Sequence, residues 1–466
     1  MEQDRLAQLI DEVREQRLSR REALRLAGIG AGALALGPLL AACGSSKSVG
    51  PAASQAAIAS LAPPSTAVSL DFWNPWSGPD GNFAKTMVQQ FNGETKNVQV
   101  KVTTFPNPPY YEKIRTAKQS GNLPHIAVMH VDAIPQNAAD AILTPMDDLV
   151  KLLNLSGGDF TEEIWKDIHY KNQAWAIPLD EHTESFYWNK SLFQTAGLDP
   201  EKPPTDKASF EQAAQAITSK TGVPGFMVVT SGPGGVFLSG TAWASVFYQG
   251  GGQWTNGDYS QATYNSQAGV QAAEWLRSLI NDLKVSPKNV QSDSEIAAFA
   301  QGKNGMVWSG IWQTTRYQDA LKDKLGAGPL PQIFGKGAWS GSHTLAVTAR
   351  KSMSAQERQA SYYFIDWFSQ HSVEWAKAGQ LPARKSVRDS AAFKALPAQS
   401  SIAKQIDDAR FFPAIPAAGD MLFGPGGAGE AVLAVINGKK DAKAALDESA
   451  ARYTKILQQN KQKYGF

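Results

Sequence analysis

Cysteine is almost absent from this chain. The sequence of 466 residues has one cysteine, Cys43, which excludes an internal disulfide and a cysteine-rich metal site. The six histidines show no clustered ligand spacing, so we expect no metal site. No phosphate-binding G-x-x-x-x-G-K-[ST] sequence occurs either, and the Gly-rich segment Ser231–Gly235 lacks its Lys-Ser/Thr ending. We therefore predict no cofactor.

An excess of charge of one sign is also missing. The 45 Lys and Arg residues nearly balance 43 Asp and Glu residues, and the net charge is +2. Because the two signs are interspersed, the sequence argues against a nucleic-acid-binding surface. Beyond the first 42 residues, no run is long and apolar enough to cross a bilayer, while 42% hydrophobic residues suffice for a sizeable core. We expect a monomer that binds no nucleic acid.

The N-terminal region has the pattern of an export signal. Arginines cluster between positions 14 and 25, a weakly apolar run covers Leu26–Ala42, and Cys43 follows small residues. A basic segment, an apolar segment and a small-residue cleavage site predict a signal peptide over residues 1–42. The basic segment resembles the twin-arginine consensus, although Ala23 stands where an aromatic residue is usual. Both the twin-arginine and the general secretory routes therefore stay open.

The residues around the cysteine predict a lipid anchor. Leu40-Ala41-Ala42-Cys43 resembles a bacterial lipobox, which implies lipid attachment at Cys43. Two or more acyl chains hold a protein stably on a membrane. Residues 43–66 are rich in Ser, Ala, Pro and Gly and are predicted to form a flexible tether. We expect the protein at the cell surface or on the periplasmic side of the cytoplasmic membrane.

Strand and helix patterns alternate along the rest of the chain. Apolar or alternating runs predict strands at 68–73, 98–105, 126–129, 225–229, 306–308 and 345–347. Helical spacing of apolar residues predicts helices at 82–92, 110–120, 209–220, 267–283 and 357–369, and two helical segments separated by Gly438 within 428–462. This alternation indicates an α/β fold with more than one sheet and mostly parallel strands.

Aromatic and polar residues stand next to several of the predicted strands. In open α/β sheets, ligands bind in the crevice beyond the carboxyl ends of strands. Sugars suit a site that stacks aromatic rings on their flat faces and places polar groups at their hydroxyls. The strand-end candidates are Trp73, Asn74, Trp76, Asp132, Trp312 and Trp339, and core packing is the alternative role for each tryptophan.

Three sequence patterns resemble one protein family. Residues 299–312 read F-x-x-G-K-x-G-M…G-x-W, residues 187–198 read Y-W-N-K-S-L-F…A-G-L, and residues 379–384 read G-x-L-P-x-R. In this order they are similar to the extracellular solute-binding proteins of ABC importers, in the group that contains the maltose-binding protein. The matches span most of the chain between Trp73 and Arg384.

The resemblance implies the type II periplasmic-binding-protein fold. Two α/β lobes would be joined by three crossover segments, and the ligand would lie in the cleft between them. The crossovers are expected near 179–184, 328–331 and 379–383. The implied lobes are 67–180 with 330–379, and 181–329 with 380–466.

The resemblance also implies site residues. Trp312 matches the sugar-stacking tryptophan of the family, and Trp243 is expected to line the second lobe. Asp132 matches a position that accepts hydrogen bonds from ligand hydroxyls. His182 stands where maltose-type relatives have a carboxylate, and Asp180 lies beside it.

Arg384 has two alternative roles. It could donate two hydrogen bonds to the ligand, or it could form an ion pair that fixes the third crossover.

The implied function is transport. We expect the protein to bind a sugar or oligosaccharide by hinge closure and to deliver it to ABC permease subunits and their ATPase. The same role with glycerol-3-phosphate, a phosphodiester or another small polar solute is the first alternative. An anchored glycoside hydrolase is the second, with Asp132 and either Asp180 or Glu181 as the only carboxylates to be placed near the cleft. Nothing in the sequence marks a catalytic acid, so we predict that the protein is not an enzyme.

Overall fold

The computed structural model describes residues 61–106 and 109–466, so the predicted signal peptide, Cys43 and most of the predicted tether lie outside the described residues. The strands are β1 (Val68–Asn74), β2 (Val98–Thr104), β3 (Ile126–His130), β4 (His169–Tyr170), β5 (Gln173–Ala174), β6 (Ile177–Pro178), β7 (Asp180–Asn189), β8 (Met306–Gly310), β9 (Leu325–Gly328), β10 (Ala338–Gly341), β11 (His343–Val347), β12 (Leu381–Pro382) and β13 (Ala409–Arg410).

The α-helices are α1 (Pro79–Glu94), α2 (Pro109–Ser120), α3 (Ile134–Ala139), α4 (Asp147–Leu152), α5 (Glu162–Asp167), α6 (Lys190–Thr195), α7 (Lys207–Thr221), α8 (Gly235–Gln249), α9 (Gln267–Asn281), α10 (Ser294–Ala300), α11 (Thr314–Leu321), α12 (Ala355–Gln370), α13 (Ser372–Lys377), α14 (Lys385–Arg388), α15 (Ala391–Lys394), α16 (Pro397–Ile402), α17 (Asp420–Phe423), α18 (Ala428–Ile436) and α19 (Ala442–Tyr464). Within the described ranges, none of these helices has both the length and the hydropathy that a bilayer span requires.

The first sheet has the strand order β2-β1-β3-β11-β6. Strands β1, β2 and β3 are parallel, whereas β11 runs antiparallel to both β3 and β6. Successive side chains of a strand point to opposite faces, so Ile126 and Val128 enter one core while Ala127 and Met129 enter the other. Helices on both faces bury these side chains. We call this sheet with its helices the first lobe.

The second sheet is built around β7. This strand pairs antiparallel with β8, β9, β10 and β12, and β13 pairs parallel with β10. Along β7, Phe186 and Trp188 face one core and Tyr187 faces the other. The prediction of mostly parallel strands is wrong for this sheet, because β7 meets four antiparallel neighbours. This sheet and its helices form the second lobe.

Two predictions of secondary structure are wrong. The predicted strand 225–229 forms only an isolated bridge between Phe226 and Met306. Helix α8, which was not predicted, has 11 buried residues among its 15. A helix that is apolar on nearly every side lacks the one-sided spacing that identifies a surface helix from sequence.

The chain passes between the two sheets three times. The passages are at 178–180, between β6 and β7; at 341–343, between β10 and β11; and at 377–381, between α13 and β12. The second crossover was predicted at 328–331, which would place β10 in the first lobe. That boundary is wrong, because Ser340 and Gly341 of β10 pair with Thr183 and His182 of β7.

Candidate ligand-binding cleft

One buried carboxylate connects all three crossovers. Asp180 at the first crossover is 0% exposed, and its Oδ1 accepts a hydrogen bond from the His343 amide at 2.9 Å. Its Oδ2 accepts from His343 Nδ1 at 2.8 Å and from Trp375 Nε1 at 2.7 Å. His343 follows the second crossover, and Trp375 precedes the third. Both oxygens of Asp180 therefore bind protein groups, and a contact of Asp180 with the ligand stays a prediction.

Asp180 stays ionised in this environment. Burial raises the pKa of Asp180, but the nearby His343 and the hydrogen bonds from His182 and His343 outweigh burial and hold the pKa below its ordinary value. An ionised carboxylate that accepts several hydrogen bonds fixes the orientation of each donor. The three crossovers are thus held at a single charged group.

Three histidines meet beside Asp180. The ring centres of His182 and His343 are 4.3 Å apart, those of His130 and His343 are 4.9 Å apart, and those of His130 and His182 are 5.7 Å apart. His130 and His343 are direct cross-strand partners of β3 and β11. Burial lowers the pKa of His182 to about 4 and that of His130 well below its ordinary value, so both rings are neutral at neutral pH. The histidines are dispersed in sequence, and the expectation that none of them cluster is wrong in three dimensions.

Tyr111 supports the first of these rings and was missed by the sequence analysis. Its hydroxyl lies 2.7 Å from His130 Nδ1 and accepts a hydrogen bond from the His130 amide at 2.9 Å. Tyr111 lies in α2, near the start of that helix. A tyrosine on an amphipathic helix gives no sequence signal of such a contact.

Aromatic side chains of the second lobe surround His182. The rings of Trp312 and Trp339 each lie 6.1 Å from the His182 ring. Phe237 lies 6.0 Å from Trp312 and stacks on Phe423 at 5.3 Å. We call Trp312, Trp339, Phe237 and Phe423 the cleft aromatic cluster. The two phenylalanines were not predicted, because Phe237 belongs to the unpredicted helix α8.

Gly310 makes room for the ring of Trp312. A Cβ added at Gly310 would lie 2.0 to 2.2 Å from three atoms of the Trp312 ring, so the ring folds back over the glycine backbone. Gly310 has φ of −63°, which any residue can adopt. The glycine of the G-x-W pattern is therefore needed for space and not for its backbone conformation. Trp312 is half-buried, and its role as a ligand contact stays a prediction.

Two predicted tryptophans are core residues. Trp243 is 0% exposed, donates a hydrogen bond from Nε1 to Gly269 O at 2.8 Å and stacks on Phe247 at 4.9 Å. Trp76 is buried in the first lobe, where its ring lies 4.5 Å from that of Trp375. Both rings pack in the cores of their lobes, and a contact of either with a ligand stays a prediction.

The remaining candidates at the end of β1 differ in exposure. Asn74 is buried, its Oδ1 accepts a hydrogen bond from the Trp76 amide at 3.1 Å, and its Nδ2 has no partner among the described residues, so its contact with a ligand stays a prediction. Trp73 is half-buried and packs against Phe105 at 4.9 Å. The ligand-binding role of Trp73 stays a prediction. Trp339 is 5% exposed, and its Nε1 has no hydrogen-bond partner in the described part of the chain.

Asp132 faces the second lobe. A Cβ at Gly419 would lie 2.6 Å from Asp132 Oδ2, so the two lobes touch at this point. Burial, together with a smaller contribution from the charge of Asp420, raises the pKa of Asp132 to about 6. Asp132 thus lies at a contact between the two lobes, and its contact with a ligand stays a prediction.

Arg384 has the second of its two predicted roles. Its Nε donates a hydrogen bond to Asp159 Oδ2 at 2.8 Å, and the same carboxylate accepts from the Ser386 amide at 2.8 Å. The ion pair fixes the chain just after the third crossover. The ligand-binding role of Arg384 stays a prediction.

The end of the C-terminal helix, α19, contacts the first lobe. Tyr464 at the end of α19 accepts a hydrogen bond through its hydroxyl from Gln136 Nε2 at 2.8 Å. The same hydroxyl donates to Asp140 Oδ1 at 3.3 Å, and Lys171 Nζ donates to Tyr464 O at 2.9 Å. All three partners belong to the first lobe. The lobes therefore contact each other both at the crossovers and at the rim.

Comparisons with known proteins agree with this architecture. The sequence profile of the family described as bacterial extracellular solute-binding protein matches residues 86–400. The probable amino-acid ABC transporter periplasmic-binding protein y4oP of Sinorhizobium fredii is 24% identical over 242 residues, which cover 50% of this chain and 52% of that protein. The match thus spans about half the length of that relative. The sn-glycerol-3-phosphate-binding periplasmic protein UgpB of Escherichia coli is 22% identical over 358 residues, which cover 71% of this chain and 78% of that protein.

Solved structures show the same fold. The GacH receptor of Streptomyces glaucescens, whose structures include a complex with acarbose, superposes with a TM-score of 0.73 at 22% identity, covering 84% of this chain and 99% of that one. The predicted two-lobe periplasmic-binding-protein fold is confirmed. Since the family profile matches more than half of the sequence, this chain belongs to the bacterial extracellular solute-binding protein family.

Proposed function

We propose that this protein is the substrate-binding lipoprotein of an ABC importer and that it binds a sugar or oligosaccharide between its lobes. The observation that carries the proposal is the position of Trp312 and Trp339 around His182 at the junction of the lobes. Flat apolar rings next to a neutral hydrogen-bonding ring suit the two kinds of surface that a sugar presents. The similarity to a receptor solved with acarbose supports the same ligand class.

An uncharged ligand fits the electrostatics of the cleft better than an anion. Burial keeps His130 and His182 neutral, and the carboxyl groups of Asp132 and Asp420 lie together at the rim. An anionic ligand would meet unfavourable charge there. The named ligand of the UgpB relative nevertheless makes glycerol-3-phosphate the alternative to test.

Transport would depend on closure of the lobes. A ligand that contacts both Trp312 and the first-lobe histidines stabilises the closed form over the open form, and it shifts the population accordingly. The rim contacts of Tyr464 and Asp132 form only when the lobes are together. The permease subunits would then recognise the closed pair of lobes, and their ATPase would drive release.

We propose binding without catalysis. A glycoside hydrolase needs two carboxyl groups on opposite sides of the bond that it cleaves. Asp180 is fully engaged by His343 and Trp375, and Glu181 is buried and accepts a hydrogen bond from Thr161 at 2.8 Å. Purified protein is therefore expected to release no reducing sugar from any oligosaccharide that it binds.

The proposed location is the outer face of the cytoplasmic membrane. Lipid attachment at Cys43 would hold the protein near its permease. The segment 43–66 would act as a tether that lets the anchored protein reach the permease. Expression of wild type and Cys43→Ser in a bacterial host tests this. The wild type is expected in the membrane fraction and the variant in the soluble fraction, and equal distribution would contradict the anchor.

Thermal unfolding with a solute panel tests the ligand class. A true ligand at 100 times its Kd stabilises the native state by about 2.7 kcal/mol. Mono- and oligosaccharides are expected to give such a shift, which Trp312→Ala removes. Trp165→Ala is the matched control, because Trp165 is also half-buried but packs on Phe160 away from the cleft. A shift with glycerol-3-phosphate and none with any sugar would move the assignment to the alternative ligand.

A further inference from the structure

Three imidazoles converge at the junction of the lobes, and we propose that His130, His182 and His343 bind a divalent transition-metal ion of the Zn²⁺ class. One ring nitrogen of each histidine lies within 4.8 Å of those of the other two. Zn²⁺ sites with three protein ligands keep a fourth position open, and their Zn–N bonds are about 2.0–2.1 Å long. Tetrahedral bonds of that length place the nitrogens roughly 3.3 Å apart. An ion bound by all three rings would draw these nitrogens closer together than 4.8 Å.

The hydrogen bonds of the cluster leave the same nitrogen free on each ring. Nδ1 of His343 and Nδ1 of His182 lie 2.8 and 3.3 Å from the two oxygens of Asp180. Nδ1 of His130 lies 2.7 Å from the Tyr111 hydroxyl. Among residues 61–106 and 109–466, no protein group hydrogen-bonds to Nε2 of these three rings. Nε2 is therefore the nitrogen of each ring that has no protein partner among the described residues.

Asp180 is placed as a positioning residue for such a site. A histidine that binds a metal usually donates its other ring N–H to a carboxylate or another acceptor, which fixes the tautomer and strengthens the ligand. The two oxygens of Asp180 lie within hydrogen-bonding distance of Nδ1 of His182 and of Nδ1 of His343, and a ring that donates Nδ1–H to this carboxylate keeps a lone pair on its Nε2. The Tyr111 oxygen has the capacity to accept Nδ1–H of His130 in the same way.

Gly341 makes room for the ring of His182. Gly341 is the cross-strand partner of His182, and a Cβ added there would lie 2.4 Å from His182 Nε2. Any other residue at this position would fill the space beside the nitrogen. The pairing of β7 with β10 therefore places the His182 ring beside Gly341, and the pairing of β3 with β11 brings His130 and His343 together.

The fourth coordination position is left to a small molecule. In the described part of the chain, no carboxylate or thiol joins the three histidines in the cluster. Trp312 lies 6.1 Å from the His182 ring, so an oxygen of a solute stacked on this tryptophan is within reach of an ion held by the histidines. This inference adds a metal ion to the cleft, and it stands whether the solute is a carbohydrate or not.

Titration with zinc chloride alone tests the proposal. Chelator-treated full-length protein is expected to bind one Zn²⁺ per chain by isothermal titration calorimetry. His182→Gln and His343→Gln are each expected to weaken the affinity at least 100-fold. His371→Gln is the matched control, because this histidine stacks on Trp367 and makes its Nδ1 contact with Trp367 O outside the cluster, and it should bind as the wild type does.

Further variants keep the test decisive if a buried histidine is needed for folding. His130→Gln changes the half-buried member of the cluster, and Gly341→Ala fills the space without removing a ligand. Both should lower zinc affinity at least tenfold while the circular dichroism spectrum stays native. The proposal is overturned if the wild type binds no zinc, or if the cluster variants bind it like His371→Gln. No sugar is present, so the zinc result and the sugar panel fail independently.

Discussion

Asp180 accepts two hydrogen bonds from His343, one from the main-chain amide at 2.9 Å and one from the ring Nδ1 at 2.8 Å. This pair joins the first crossover to the second, and the bond from Trp375 at 2.7 Å adds the third. The hinge of the protein is thus built around one charged group. A carboxylate buried with its donors has a large effect when it is changed, because the donors then lose their partner in a place that water does not reach.

The first prediction concerns this carboxylate. Asp180→Asn keeps the size of the side chain but removes the negative charge that accepts hydrogen bonds from His343 and Trp375. The free energy of unfolding should therefore fall by about 3 kcal/mol. Urea denaturation followed by tryptophan fluorescence measures the change. Asp389→Asn is the control, since Asp389 is exposed and forms only a loose pair with Lys394 at 3.8 Å. Equal stability of the two variants would show that Asp180 does not hold the crossovers.

The second prediction concerns the glycine under Trp312. Gly310→Ala introduces a methyl group where the ring now lies, and the backbone at this position tolerates alanine, so the ring must move. Sugar affinity should fall by 10- to 100-fold, about 1.4 to 2.7 kcal/mol, as measured by calorimetry. Gly93→Ala is the control, because a Cβ there meets nothing within 4 Å. Unchanged affinity in Gly310→Ala would contradict the stacking role of Trp312.

The third prediction concerns closure. Tyr464→Phe removes the hydroxyl that joins the second lobe to Gln136 and Asp140 at the rim. The closed form should lose about 1 kcal/mol of stability relative to the open form. This loss should raise the apparent Kd for the solute up to fivefold. Small-angle scattering should also show a larger radius of gyration. Tyr363→Phe, on a half-buried ring of the first lobe, is the control that should change neither quantity.

The fourth prediction concerns pH and a carboxyl group of the second lobe. Burial raises the pKa of Glu295 to about 7 from a usual 4.5, and its Oε2 has no hydrogen-bond partner in the described structure. A raised pKa means that the folded state holds the proton more tightly than the unfolded state. The wild type therefore loses stability as pH rises from about 4.5 to about 7.

Glu295→Gln removes this dependence. Below pH 4 the free energy of unfolding of the variant should change with pH as that of the wild type does. By pH 8 the free energy of unfolding of the variant should have risen by about 3 kcal/mol relative to the wild type. Denaturant titrations across this range measure the difference. The control Glu112→Gln, on the exposed side of α2, should leave the pH profile of the wild type unchanged. A profile for Glu295→Gln that runs parallel to the wild type would contradict the raised pKa.

Local sequence patterns predicted much of the fold. The alternation at Val98–Thr104 and the apolar run at Ile126–His130 predicted β2 and β3 within one or two residues. The G-x-W pattern led to Trp312, because the glycine is required by direct contact with the ring two residues later. Such signals are readable since both partners lie close together in the sequence.

Features that depend on distant pairing could not be read from the sequence. His130 and His343 are 213 positions apart and meet through the register of β3 and β11, which no local pattern specifies. Strand β7 begins with the polar residues Asp180–Ser185, all of them buried, and polar composition usually indicates exposure. Trp243 looked like a cleft residue because the apolar helix that buries it was not predicted.

A structure determined with the tightest-binding sugar of the panel tests the central claim most directly. We expect the sugar between the two lobes, with one of its rings on the face of Trp312 and a hydroxyl within hydrogen-bonding distance of the histidine cluster. A panel in which no sugar binds, or a sugar bound away from Trp312 with no contact to the first lobe, would contradict it.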